Sequence, residues 1–219
     1  MCVNLLSRAI RKQFEDSNLV YVHGDEGGRW VKPSQCLWAS ETRIQGKTIL
    51  NTFYEDLYKL FVTTLGVDTL NLEIVYNDIL KLGSSTSASI EEVKRQIWVF
   101  NGFLQACDDS SDIDAEKVRN AKIFPVRFPD GNVELRTCAE DFAIVDRVYL
   151  GEHFCDKVKT LDFTFDETIK LSNFLVWLGL EPKYMSKLVK EISSIDSSGA
   201  LPVPPASCAI RTKAHALCR

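Results

Sequence analysis

KIFPVRFPDGNVELR, residues 122–136, is the stretch that sets the kind of fold. Pro129-Asp130-Gly131 lies between two apolar-rich runs, the pattern of a tight turn joining antiparallel strands over 122–127 and 133–136. The sequence on either side is helical in period. Upstream, Ser89 and Glu92 make a capping box that opens a helix to about residue 106, with Ile90, Val93, Ile97, Phe100 and Leu104 facing inward. Downstream, residues 142–148 read as a third strand. Thr164 and Glu167 then open a helix through residue 178, Gly179 stops it, and Glu181-Pro182 restarts a shorter one. Hairpins set among helices, without regular β-α-β alternation, predict a helix-rich α+β fold of amphipathic helices and small antiparallel hairpins.

The N-terminal third has a related order. Residues 3–15 predict a helix with Leu5, Leu6, Ala9, Ile10 and Phe14 on one side. Residues 19–23 read as a strand, GDEGG as a turn and residues 29–31 as the returning strand, with Pro33 excluded from any central sheet position. Helix, strand, turn, strand, cysteine thus occurs over 5–36 and again, loosely, over 91–138, an echo of architecture short of a repeat. A helix followed by a hairpin is also loosely winged-helix-like. The acidic tip of this wing repels phosphate, which favours a protein-facing role over a DNA-facing one. Residues 48–65 predict a further helix, carrying Leu50, Phe53, Tyr54, Leu57, Leu60, Phe61 and Leu65 and stopped by Gly66. A shorter one follows over 72–82, ended by Gly83, before the polar linker 83–89. Trp30, Trp38, Phe53, Tyr54, Phe61 and Trp98 are the expected packing or interaction anchors.

These readings divide the chain into a helical region with an N-terminal hairpin (1–107) and a hairpin-plus-helices region (120–195). A Pro- and Ser-rich linker follows (196–205), then a helical start (206–219). The last segment puts Ile210, Ala214 and Leu217 on one side with nothing after it to bury them, as expected of a chain cut from a larger domain.

Composition excludes several roles. An apolar share of 45% with 26% charged residues supports a packed core in 219 residues, and a net charge of −4 argues against a phosphate-neutralising surface. The seven cysteines are odd in number and never spaced C-x-x-C, and the N-terminus lacks a signal-peptide run. Free buried thiols in an intracellular setting, cytoplasmic or nuclear, are the expectation. No run is long enough to cross a membrane.

Candidate chemistry fails for want of partners. There is no G-x-S-x-G elbow, no P-loop and no dinucleotide fingerprint. CDDSSDIDAEK, residues 107–117, lacks the glycine and closing glutamate of a calcium loop. His153 and Cys155 are an imidazole–thiol pair two residues apart; on a strand they share a face, and a half-buried strand explains them without zinc or nucleophilic catalysis. The expectation is no enzyme activity, no cofactor and no metal.

A set of short motifs then carries a resemblance: WVKPSQCLW (30–38), LFVTTLGV (60–67), IFPV (123–126), DFAIVDR (141–147), LGLEPKYMSKLV (178–189) and RTKAHALCR (211–219). Together they resemble the middle region of large fungal proteins similar to plant NO VEIN and to sacsin. That resemblance implies a histidine-kinase-like (Hsp90-type) ATPase domain upstream, with the ATP site carried by no residue here. It implies a non-catalytic interaction or scaffold segment of a chaperone-like multidomain protein. Its partner would be that ATPase domain, another segment of the same polypeptide, or another protein. The alternative is a winged-helix-like nucleic-acid-binding module.

Overall fold

A computed structural model describes residues 2–24, 27–39, 42–106 and 113–190, with side chains from Ser7 onward. The expected linker (196–205), the helical start (206–219) and the acidic segment 107–112 lie outside the described residues.

The chain is helix-rich α+β. Helix α1 (Cys2–Ser17) leads into an antiparallel hairpin of β1 (Val20–Gly24) and β2 (Gly27–Val31), in which Tyr21 faces Trp30. Strand alternation buries Val20, Val22 and Val31 against Leu50, Phe61 and Leu65. A short helical turn begins at Pro33, then β3 (Cys36–Trp38) takes the centre of a small sheet between β4 (Thr48–Ile49) and β5 (Asp68–Thr69). Both pairings are parallel, an addition to the antiparallel hairpins expected.

The helix expected over 48–65 does not form as such. Thr48 and Ile49 pair with Cys36 and Leu37, and the Leu50 N–H continues the ladder to the Leu37 carbonyl at 3.0 Å. Helical geometry begins only with a short turn at Glu55–Leu57 and a π-helical turn at Lys59–Thr64, where the Leu65 N–H reaches five residues back to Leu60 at 2.8 Å. A β-branched pair beside an unfilled strand edge outweighs helical periodicity here. Gly66 does end the segment, with φ 73°.

Helices α2 (Leu72–Ser84) and α3 (Ile90–Ala106) form an antiparallel pair. Asn71 caps α2 by accepting from the Ile74 N–H, and Ser89 does the same for the Glu92 N–H at 3.1 Å. Gly83, expected as a stop, lies inside α2. Its role is close approach, since a Cβ there would sit 2.8 Å from the Ala121 Cβ. After α4 (Ala115–Asn120), capped by Asp114, come β6 (Phe124–Arg127) and β7 (Val133–Arg136), the hairpin expected around Pro-Asp-Gly. On the other side of β6 lies β8 (Thr160–Leu161), giving the order β7-β6-β8.

The third strand expected over 142–148 is replaced by a clamp. Phe142, Ala143 and Ile144 are all buried, so there is no alternation to define a face. Ala143 exchanges main-chain hydrogen bonds with Lys159 and Leu161, and Ile144 with Lys183 and Met185. Val148 instead opens α5 (Val148–Phe154). The last helix pair is α6 (Phe165–Lys170) and α7 (Ser172–Trp177), followed by a turn at Glu181–Lys183 and α8 (Met185–Leu188). The capping box of Thr164 and Glu167 is present in both directions, and Gly179 closes the segment with φ 65°.

The break between α6 and α7, unexpected from sequence, has a physical cause on α3. Asn101 donates from Nδ2 to the Lys170 carbonyl and accepts the Phe174 N–H on Oδ1, both at 3.1 Å. Its amide is inserted where the helix would bond Phe174 to Lys170 directly.

Buried side chains from α2, α3, α4, the β7-β6-β8 sheet and α7 form one core running from Val75 to Leu180. The expected division between 1–107 and 120–195 falls inside that core. Two polar links reinforce it. Asp162 receives Lys94 Nζ at 2.6 Å and Arg127 Nε at 2.7 Å, tying α3 to the sheet. Burial works to raise the Asp162 carboxyl, but those two hydrogen-bonded cations hold it below its ordinary value. Asp78, buried on α2, accepts from the Gln45 N–H at 2.9 Å and Gln96 Nε2 at 2.7 Å. Burial pushes the Asp78 carboxyl up.

Candidate interaction surface

The six aromatic anchors do not form one constellation. Phe61 is buried, and it meets Tyr54 at 4.9 Å and Trp38 at 6.1 Å between ring centres. Trp38 also meets Tyr58 edge-on at 5.5 Å. Trp98 is half-buried on α3 against Phe163, far along the chain in the second core. These four pack.

Trp30 and Phe53 do not. Trp30 is 60% exposed on the outward face of its hairpin, and Phe53 is 45% exposed in the turn that follows β4. Of the two roles expected for it, packing or interaction, Trp30 is thus not a core-packing anchor. It rests instead on its cross-strand partner Tyr21, ring centres 5.1 Å apart and planes at 61°. The geometry depends on Gly28, since the Tyr21 ring occupies the space a Cβ there would need, with Oη 1.9 Å from that position. The Tyr54 hydroxyl donates to the Tyr21 carbonyl at 2.6 Å, fixing the β1 edge from the side of the buried aromatics.

Leu19, Tyr21 and Trp30 are thus exposed apolar side chains on one hairpin, while Val20, Val22 and Val31 fill the core beneath. Leu19 and Tyr21 were missed as surface residues. The signal was in the alternation LVYVH (19–23), whose odd positions point away from the buried valines. Desolvating such side chains against a partner is favourable, at about 25 cal/mol per Å² of apolar surface.

Groups with chemical potential are dispersed. His153 and Cys155 lie at the end of α5 and just beyond it, not on a strand, and both are exposed. The His153 Nδ1 is 3.0 Å from the Tyr149 carbonyl. Two residues apart on a helical turn, the side chains diverge by about 200°, so they share no face. Burial pushes the Cys36 thiol up to about 11 and also raises Cys138. Among the described residues no three His, Cys, Asp or Glu side chains group to hold a metal ion. No helix among them is long and apolar enough to cross a membrane.

The class defined by this architecture is a helix-rich α+β domain with small hairpins, one of them presenting an apolar face. The family model described as "Domain of unknown function (DUF8348)" matches residues 73–189, more than half of the chain. The chain belongs to that family. The match begins within α2 and ends just past α8, and so takes in nearly all of the second core. No curated protein and no solved structure matches the chain.

Proposed function

We propose that this chain is a non-catalytic protein-binding segment of a larger, chaperone-like multidomain protein. Its partner would be a histidine-kinase-like ATPase module of the same polypeptide. The observation that carries the binding role is the hairpin face, where Trp30 stands 60% exposed on Tyr21. Tryptophan and tyrosine on a stiff two-stranded scaffold have the traits of an interface hot spot: large area, few rotamers and a polar tip that tolerates water. The ATPase partner comes from the resemblance of motifs such as residues 30–38, 60–67 and 178–189 to NO VEIN-like and sacsin-like proteins.

Co-expression tests this reading. The chain is produced together with the histidine-kinase-like ATPase region of a fungal protein bearing the same motifs, and the mixture is run on gel filtration. Co-elution as one complex is the expected result. Two separate peaks, with the solubility of the chain unaltered by the ATPase region, would count decisively against it.

A further inference from the structure

We infer that the outer edge of β7 accepts an extended, acidic peptide as an added strand, in the open groove between that edge and the helices α2, α3 and α4. The inference rests on the reading of the chain as a protein-binding segment and specifies a second surface for it, within the family-matched region.

The strand order β7-β6-β8 leaves β7 at the margin of its sheet. The pairing with β6 sets which main-chain groups are used. The Phe128 N–H donates to the Asn132 carbonyl at 2.8 Å, so 128 and 132 are a hydrogen-bonded pair. Antiparallel pairs alternate, which makes Val126–Glu134 and Phe124–Arg136 the next bonded pairs. The N–H and C=O groups of Val133 and Leu135 therefore point away from β6. Among the described residues no other strand lies against them.

Beside β7 an open groove of about 1020 Å³ is lined by Val133 and Leu135 together with Leu80, Ala88 and Ile90. Two unpaired N–H groups and two carbonyls in line, beside an apolar trough, match the main chain and alternate side chains of one extended segment.

The charges in the groove choose the kind of segment. Five ionisable side chains line it: Asp114, Glu116, Glu134, Lys117 and Lys122. Each acid is already occupied. Asp114 caps α4 by accepting the Glu116 N–H at 2.9 Å, Glu116 pairs with Arg119 at 3.5 Å, and Glu134 pairs with Arg136. Among the described residues neither Lys117 nor Lys122 has an ion-pair partner. A cap does not neutralise Asp114, but Lys117 and Lys122 outnumber that one acid without a cation, so the surplus charge is positive; a guest with carboxylates on alternate residues is complementary and one with lysines is not.

The test uses the full chain, isotope-labelled, and a capped nine-residue peptide of alternating valine and aspartate. Saturable binding is expected, with hydrogen exchange at the Val133 and Leu135 amides slowed at least ten-fold in the complex. The same peptide with lysine for aspartate, or N-methylated on the residues facing β7, should bind at least ten-fold more weakly. Leu135→Pro deletes an outward N–H without touching the β6 ladder and should weaken binding ten-fold. Should that variant fail to fold, the surface pair Lys117→Glu and Lys122→Glu should weaken binding at least five-fold. Absence of saturable binding, unchanged exchange at both amides, or equal binding of the N-methylated peptide would overturn the assignment. Those results leave co-elution with the ATPase region untouched, so the groove and the broader reading fail separately.

Discussion

Phe100→Ala is expected to lower the unfolding free energy of the chain by about 3–5 kcal/mol, the range for deleting a fully buried phenylalanine. Phe100 is wholly inaccessible to solvent. Its ring meets Tyr76 of α2 at 6.4 Å, Phe174 of α7 at 5.8 Å and Trp177 at 5.3 Å, the last two edge-on. The substitution therefore removes the common neighbour of three aromatic rings drawn from two other helices, and rigid helix packing limits how far they can close the gap. Urea unfolding followed by tryptophan fluorescence reads the effect. A loss below 1 kcal/mol would mean that α2, α3 and α7 do not share the core described.

Asn101→Ala is expected to cost about 2–4 kcal/mol, because it strands a buried donor and a part-buried acceptor together. The Lys170 carbonyl and the Phe174 N–H both depend on the Asn101 amide at 3.1 Å. Partial relief is available if α6 and α7 join through their own hydrogen bond, which sets the lower end of the range. Joining them would displace Trp177, so near-ultraviolet circular dichroism should change along with the thermal midpoint. A variant with wild-type stability and an unaltered aromatic spectrum would show that the amide does not hold the break.

The same residue explains what the sequence could and could not convey. Signals confined to four or five neighbours were legible: Thr164 with Glu167 at the start of α6, Ser89 below α3, and Pro-Asp-Gly between β6 and β7. Those depend on local hydrogen bonds and backbone angles that the residues themselves supply. The break at Leu171 depends on an amide 70 positions away and leaves no local trace. Residues 48–65 fail for a similar reason, since their helical periodicity is genuine but the unfilled edge of β3 takes the first two residues. Residues 142–144 are buried on both sides, which erases the alternation that marks a strand.

The interaction surface was half legible. Large aromatic residues were easy to pick out, but size alone does not say whether a ring faces the core or the solvent. Phe61 turned inward and Trp30 outward because of their places in a π-turn and on the upper face of a hairpin. Strand parity in residues 19–23 carried that information for β1. The register that sets Trp30 opposite Tyr21 emerged only with the fold.

Trp30 also gives the most direct measurement. Calorimetric titration of the proposed partner, the histidine-kinase-like ATPase region of a fungal protein bearing the same motifs, into the full chain, wild type and Trp30→Ser, tests the binding role proposed for the hairpin face. Trp30 is largely exposed, so the substitution should leave the unfolding midpoint nearly unchanged. The account predicts saturable binding by the wild-type chain with a negative heat-capacity change, and at least ten-fold weaker binding by Trp30→Ser, about 1.4 kcal/mol. Equal affinity of the two proteins, or no heat of binding from the wild type, would contradict it.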